Sequence, residues 1–105
     1  RDVEDPSVVM EMLGTLVTRV TRKLQSLEIT ARNLEIKLRY QGFETLSHAM
    51  SLAVSMDDEE VFQRLAPRLL ANVYDIDRPV RLIGFRLSDL EAPPNRQATL
   101  DRFDH

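Results

Sequence analysis

The spacing of apolar residues changes three times along the chain, between a helical period and a strand period, and this restricts the fold more than any other feature. Residues 6–27 carry apolar side chains every three or four positions, which is the period of an amphipathic helix. Asp5 is a suitable N-cap, and Pro6 suits the first helical turn. The chain is therefore predicted to begin with a long helix.

The next two segments alternate between apolar and polar residues and predict a β-hairpin. Residues 33–40 place one apolar set on a single face: Leu34, Ile36, Leu38 and Tyr40. Residues 45–54 alternate in the same way, with Leu46, His48, Met50, Leu52 and Val54 on the apolar side. Residues 41–44 form the turn. His48 shares the apolar face, so it is predicted to be a core or boundary residue, not a ligand or a base.

A second helix and a last strand complete the pattern. The helix begins with the acidic residues 57–60, which favour a helix N-terminus, and Pro67 predicts a kink or local irregularity within it. The last strand spans residues 79–88. Its apolar phase slips between Val80 with Leu82 and Phe85 with Leu87, which predicts a β-bulge at Ile83-Gly84.

The order of elements is α-β-β-α-β followed by a tail, which predicts an α+β fold with both helices on one face of an antiparallel sheet. Residues 1–90 form the predicted domain. Residues 91–105 contain Pro93-Pro94-Asn95 near their start and are predicted to be a flexible tail. The chain has no initiator Met and opens on Arg1, so it is expected to be a fragment of a larger protein.

The face that the helices leave open is predicted to be cationic and rich in hydroxyls. Lys and Arg side chains contact phosphates, Ser hydroxyls donate to them, and small side chains let a nucleic-acid backbone come close. The alternative is that any solvated sheet face needs polar residues, and the arginines are then ordinary solubilising residues. The predicted open face comprises Glu35, Lys37, Arg39, Ser47, Ala49, Ser51, Arg81, Arg86 and Ser88.

Several functional classes are disfavoured by composition. The chain has no cysteine, and its two histidines, His48 and His105, are far apart without an acidic partner at useful spacing. No phosphate-binding glycine loop or catalytic triad pattern is present, so the fragment itself is not expected to catalyse a reaction. No apolar stretch approaches the roughly 18 residues that a membrane span needs, so no membrane partner is expected.

Two segments resemble one family closely: residues 43–47 (FETLS) and, more specifically, residues 79–90 (PVRLIGFRLSDL). They are similar to the C-terminal little finger domain of Y-family translesion DNA polymerases, of the DNA polymerase IV type. The resemblance covers nearly the whole chain and implies a βαββαβ domain with strand order 1-4-2-3, whose open face lies against DNA phosphates. It implies phosphate contacts from Arg81 and Arg86, helped by Lys37, Arg39, Ser47 and Ser51.

The chain departs from the family pattern in two places. The family's first strand precedes the first helix, and Arg1 begins too late to contain it. One edge of the last strand is therefore expected to lack its neighbouring strand and to be covered by a crystal contact, a dimer or a missing upstream segment. The family often has arginines near positions 48 and 50, where this chain has His48 and Met50. The resemblance places the catalytic palm, with its Mg²⁺, in the parent polymerase, so no cofactor is expected here.

The tail contains Gln97, then Leu100 three residues on, then Phe103 three further. This spacing resembles the sliding-clamp-binding peptides at the C-termini of these polymerases. Leu100 and Phe103 would share one side of a helical turn and enter an apolar pocket, with Gln97 at its rim. The alternative is a frayed tail with a chance Leu and Phe.

The sequence-based hypothesis is a non-catalytic domain that grips primer–template DNA without reading its bases, within a cytoplasmic, nucleoid-associated polymerase with palm, fingers and thumb domains. If about four phosphates are neutralised, the log–log salt slope is near −3.6, which is roughly a hundredfold loss of affinity between 50 and 200 mM salt. The rival hypothesis is a protein-interaction or regulatory α+β domain whose basic strand is incidental.

Overall fold

The computed structural model describes residues 2–92, which form two helices and three strands. The elements are α1 (Pro6–Ser26), β1 (Thr30–Tyr40), β2 (Thr45–Met56), α2 (Glu59–Leu70) and β3 (Val80–Glu91). The predicted α+β class and order of elements are confirmed. The strands are longer than the alternation indicated, since β1 begins three residues before Asn33 and β3 continues to Glu91.

The sheet is antiparallel, with β1 in the centre and the order β2-β1-β3. The apolar side chains of β1 point to the helices, and Leu34, Ile36, Leu38 and Tyr40 are wholly buried, as predicted. α1 packs mainly over β3 and α2 over β1 and β2, so both helices lie on one face. The helices contribute Val9, Leu13, Val17, Leu24, Phe62, Ala66, Leu69 and Leu70 to the core.

α1 begins at Pro6 as predicted, α2 begins at Glu59 within the predicted acidic segment 57–60, and polar contacts join the two helices. The side chain of Asp5 accepts from the Ser7 amide at 2.9 Å, and Asp58 caps α2. Gln63 donates to the Gly14 carbonyl and to the Thr18 hydroxyl, each at 2.9 Å. α2 continues through Pro67 to Leu70. Neither described helix combines the length and the hydropathy that crossing a bilayer requires.

Tyr40 ties the end of β1 to the loop that precedes β3. Its buried hydroxyl donates to the carbonyl of Val73 and accepts from the amide of Asp75 at 2.8 Å. The guanidinium of Arg78 lies 4.0 Å from the Tyr40 ring centroid and forms a 2.5 Å ion pair with Glu44 in the hairpin turn. The turn and the loop therefore hold each other in place at one end of the sheet.

The predicted β-bulge exists, but its predicted position at Ile83-Gly84 is wrong. Arg39 faces Leu82 and Tyr40 faces Val80, so the extra residue is Arg81. Directly after the bulge the apolar–polar alternation of β3 is regular again, so Ile83, Phe85 and Leu87 point to the helices. Leu82 consequently lies on the open face and is 46% exposed, not in the apolar phase of Val80.

β2 is an edge strand, and its apolar face is only partly covered. The register places Met50 opposite Leu34 and His48 opposite Ile36, on the helix side as predicted. His48 is nevertheless exposed, because α2 covers only part of this outer strand, so its assignment to the core or its boundary is wrong. The register shifts after Ser51, and Val54 is 67% exposed, so the predicted alternation does not continue to its end.

The outer edge of β3 is paired at one position. Val3 and Val80 form an antiparallel bridge through two backbone hydrogen bonds of 2.8 Å. Residues before α1 therefore lie where the resemblance places the family's first strand, although the chain was predicted to begin too late to reach it. Beyond this bridge, residues 2–92 contain no further strand pairing with that edge of β3.

Candidate nucleic-acid interface

The face opposite the helices includes four consecutive cross-strand rows from Asn33 to Arg39, because β1 is paired on both sides. Each row has one residue from β2, one from β1 and one from β3. Along the sheet the rows are Thr45–Arg39–Leu82, Ser47–Lys37–Gly84, Ala49–Glu35–Arg86 and Ser51–Asn33–Ser88. The structure thus brings five of the six predicted phosphate contacts onto one surface, and it places the sixth, Arg81, at the bulge beside it.

Lys37 and Arg39 are the cations of this face that have no carboxylate partner among residues 2–92. Both are exposed, and they follow each other on the outward side of β1. The Nε of Arg39 donates to the hydroxyl of Thr45 at 3.1 Å, and among residues 2–92 this is the side-chain hydrogen bond that Arg39 makes. The central strand therefore presents two uncompensated positive charges next to the hydroxyl of Ser47.

Arg86 has a loose carboxylate neighbour. Its Nη1 lies 3.9 Å from Oε1 of Glu35, and the side chains are 74% and 30% exposed. An ion pair at this distance between exposed groups contributes little, since solvent screens it. Arg86 is consequently able to leave Glu35 for a stronger anion at small cost.

Arg81 is held more firmly than Arg86. Its Nε donates to Oδ1 of Asp2 at 3.1 Å, and its guanidinium carbon lies 4.8 Å from the ring centroid of Phe43. The side chain of Asp2 is only 15% exposed and that of Arg81 40%. The residue that the sequence marks as a phosphate contact therefore already has an anionic partner and an aromatic one.

Gly84 leaves a shallow depression between two cations on the open face. The depression has a volume of about 150 Å³ and is lined by Glu35, Lys37, Gly84, Phe85 and Arg86. A methyl group at Gly84 would point into it, 3.9 Å from Cβ of Lys37. The sequence predicted a bulge at this glycine. In the structure, the absence of a side chain there instead lets a ligand come close to the sheet.

The last row is a hydrogen-bonded chain across all three strands. The hydroxyl of Ser51 donates to Oδ1 of Asn33 at 3.3 Å, and Nδ2 of Asn33 donates to the hydroxyl of Ser88 at 3.0 Å. Asn33 was not singled out from the sequence, although its alternation with Glu35 indicates the same face. The hydroxyl of Ser51 is therefore bonded within the sheet. The hydroxyl of Ser47 is exposed and has no hydrogen-bonding partner among residues 2–92.

The side chains of this face are better suited to binding an extended anion than to catalysing a reaction of that anion. Four arginine and lysine side chains supply donors, and two of them have a carboxylate partner: Arg86 pairs with Glu35 and Arg81 with Asp2. No aromatic side chain projects from the centre of the face for base stacking, and Phe43 lies in the turn beneath Arg81. Residues 2–92 contain no group of three or more His, Asp or Glu side chains that would hold a metal ion.

The predicted clamp-binding residues Gln97, Leu100 and Phe103 lie outside the described residues. Their assignment remains a prediction from the sequence.

The model of the impB/mucB/samB family C-terminal domain matches residues 1–100. DNA polymerase IV of Methanoculleus marisnigri is 37% identical over 102 residues, or 97% of this chain and 28% of its own length. DNA polymerase IV of Halorhodospira halophila is 34% identical over 99 residues, covering 94% of this chain and 28% of its own length. The chain therefore spans less than a third of the curated relatives it matches.

Solved structures with the same fold include the Dbh ternary complex with partially disordered substrates. The TM-score is 0.70 at 18% identity, over 89% of this chain and 27% of that one. The insertion ternary complex of Dbh DNA polymerase matches with a TM-score of 0.65 at 18% identity, over 88% of this chain and 26% of that one. At this identity the likeness shows the fold alone.

Proposed function

This chain belongs to the impB/mucB/samB family C-terminal domain, the little finger domain of Y-family DNA polymerase IV, and from this we propose that its open sheet face grips the backbone of primer–template DNA. The grip is non-catalytic and independent of base sequence. It rests on phosphate contacts from Lys37, Arg39 and Arg86, with Ser47 beside them.

The observation that carries this proposal is the position of Lys37 and Arg39. The chain has a net charge of −3, yet its central strand presents two cations that no carboxylate neutralises among residues 2–92. They stand beside Ser47 and the depression at Gly84, where a phosphate oxygen meets both a donor and free space. The domain is acidic as a whole, yet this sheet face is cationic and carries small residues. This favours a role in binding the DNA backbone over a role in solubility alone.

A grip of this kind suits a polymerase that must move along damaged template. Contacts to phosphates position DNA without depending on which bases are present, so they survive each translocation step and each lesion. The solved Dbh complexes include an insertion ternary complex and a post-insertion binary complex of that polymerase, in the same fold. The nucleotidyl transfer of the parent polymerase and its Mg²⁺ belong to domains outside this chain, and the proposed role includes no metal-dependent step.

The test compares Lys37→Ala/Arg39→Ala with a matched control, Lys23→Ala/Arg64→Ala, which removes the same charge from exposed positions on the helices. Fluorescence anisotropy of a labelled primer–template duplex gives the affinity across a salt series. The sheet variant should make the log–log salt slope shallower by about 1.8, because two phosphate contacts are lost. The control variant should leave the slope within about 0.5 of the wild-type value.

Equal effects of the two double variants would contradict the proposal, because the binding would then follow net charge alone. An affinity that does not change with salt, or that depends strongly on base sequence, would contradict it as well. In either case the rival hypothesis, a protein-interaction or regulatory domain, would be favoured.

The tail extends the proposal from DNA to a sliding clamp. Gln97, Leu100 and Phe103 have the spacing of a short clamp-binding peptide, with a weak affinity on the order of micromolar that acts by raising the effective concentration near DNA. Titration of the full chain against bacterial and archaeal ring-shaped clamps tests this, with Leu100→Ala/Phe103→Ala as the comparison. Binding that the double substitution leaves unchanged would show that the tail has no such role.

A further inference from the structure

Arg81 and Asp2 form an ion pair that affects what Arg81 can contribute to DNA binding. The resemblance to the family does not imply this effect. Arg81 is the extra residue of the β3 bulge, so its side chain leaves the regular rows of the open face. The segment before α1 is fixed to the same strand by the two hydrogen bonds between Val3 and Val80. Asp2 is thereby placed next to Arg81, with its carboxylate 3.1 Å from Nε.

We propose that Asp2 withholds Arg81 from DNA, so that the segment before α1 acts as a latch that a phosphate must displace. The latch rests on the proposed DNA grip. It implies that the cations of the open face are of two kinds. Lys37, Arg39 and Arg86 contact phosphates directly, whereas Arg81 contributes only after its carboxylate partner has been removed or exchanged.

Three observations favour a latch over an incidental surface pair. The carboxylate of Asp2 is only 15% exposed, so solvent screens it less than Glu35, which is 30% exposed. The ring of Phe43 lies against the guanidinium at 4.8 Å and limits the directions that Arg81 can take. The backbone bridge at Val3 fixes the segment itself, so the pair forms without the loss of main-chain freedom that separate surface residues would suffer.

A phosphate that reaches the remaining nitrogens of Arg81 meets the negative charge of Asp2 next to it. Two anions that share one guanidinium repel each other, so the phosphate gains less from Arg81 than from Lys37 or Arg39. The number of phosphates neutralised therefore falls from about four to about three, and the expected salt slope falls from about −3.6 to about −2.7.

The experiment is a double-mutant cycle on the full chain with a labelled primer–template duplex. Asp2→Asn keeps an oxygen that accepts from Arg81 but removes the charge, and Glu4→Gln is the matched control, an exposed acid two residues further on. Asp2→Asn should tighten binding by about two- to fivefold at low salt and steepen the salt slope by about 0.9. Glu4→Gln should do neither.

Arg81→Ala completes the cycle. In the wild-type background it should change the salt slope by less than about 0.5, whereas Arg86→Ala makes the slope shallower by about 0.9. In the Asp2→Asn background, Arg81→Ala should return both the affinity and the slope to their wild-type values. The proposal is overturned if Asp2→Asn and Glu4→Gln have equal effects, or if Arg81→Ala alone weakens binding as much as Arg86→Ala.

A readout without DNA separates the latch from the grip. In the free protein, the Nε–H resonance of Arg81 should exchange slowly with solvent and should become fast in Asp2→Ala. Slow exchange in both proteins overturns the latch. A protected resonance in a protein that does not bind the duplex would instead overturn the proposed grip, and the latch on DNA binding with it.

Discussion

On one face of the sheet Leu34, Ile36 and Leu38 are wholly buried beneath the helices, whereas on the other face Lys37 and Arg39 stand in solvent. The same strand supplies both sets, residue by residue. Burial restricts the first set to apolar side chains of fitting volume, since interiors are close-packed. Solvent places almost no packing demand on the second set, so its composition is free to follow function.

We therefore expect stability and the proposed DNA binding to be separable in this domain, because the residues assigned to each lie on opposite sides of a single sheet. Substitutions on the covered face should change the free energy of unfolding and leave the salt dependence of DNA binding unchanged. Substitutions on the open face should do the reverse.

Leu34→Ala should lower the free energy of unfolding by about 2–5 kcal/mol, because it leaves a cavity at a position that is 0% exposed. Urea denaturation followed by circular dichroism measures the loss. In the fraction that remains folded, the salt slope of DNA binding should equal that of the wild type. A changed slope would show that the two faces are coupled.

Tyr40→Phe should lower the free energy of unfolding by about 1–3 kcal/mol, since the buried carbonyl of Val73 and the amide of Asp75 both lose a partner. The ring and its contact with Arg78 remain, so the cost is that of the hydroxyl alone. Thermal and urea unfolding measure it. A loss below about 0.5 kcal/mol would mean that water replaces the hydroxyl at this end of the sheet.

Gly84→Ala should change both stability and DNA affinity, in opposite directions. The added methyl lies 3.9 Å from Cβ of Lys37, which is an ordinary contact, and the loss of glycine's freedom in the unfolded chain should raise stability by about 0.4–1 kcal/mol. The same methyl fills the depression, so the affinity for DNA should fall while stability rises. An affinity equal to that of the wild type would show that no phosphate approaches at Gly84.

Lys37→Ala/Arg39→Ala should change the free energy of unfolding by less than about 0.5 kcal/mol, because both side chains are exposed and neither has an ion-pair partner among residues 2–92. Urea denaturation beside the helix control Lys23→Ala/Arg64→Ala measures it. A large destabilisation would mean that these cations are structural, and it would remove the basis for assigning them to DNA.

The covered face was the part of the fold that the sequence made predictable. The alternation of Leu34, Ile36, Leu38 and Tyr40 determines which side of β1 is buried, since a shift by one residue would expose the entire set. The open face follows from the same alternation. Lys37, Arg39, Ser47, Ser51 and Arg86 therefore lie where they were predicted.

The remainder depended on pairings that periodicity does not encode. In β3 the apolar residues are compatible with a slip at either of two positions, and only the pairing of Tyr40 with Val80 assigns the bulge to Arg81. His48 has the phase of a core residue, but its strand lies at an edge that the helices cover only in part. The contact between Asp2 and Arg81 joins residues far apart in the chain, and no local pattern indicates it.

The strand order β2-β1-β3 also has a consequence for the order in which the domain assembles. β1 meets β2 through a short turn, so the hairpin closes at a small loss of chain entropy. β3 reaches the other side of β1 only after α2 and the loop behind it have been laid down, so of the two strand pairings that β1 makes, this one is the more distant in sequence. We therefore expect β3 to join last and to exchange its amide hydrogens first, although it carries Arg86 of the proposed grip and the latched Arg81.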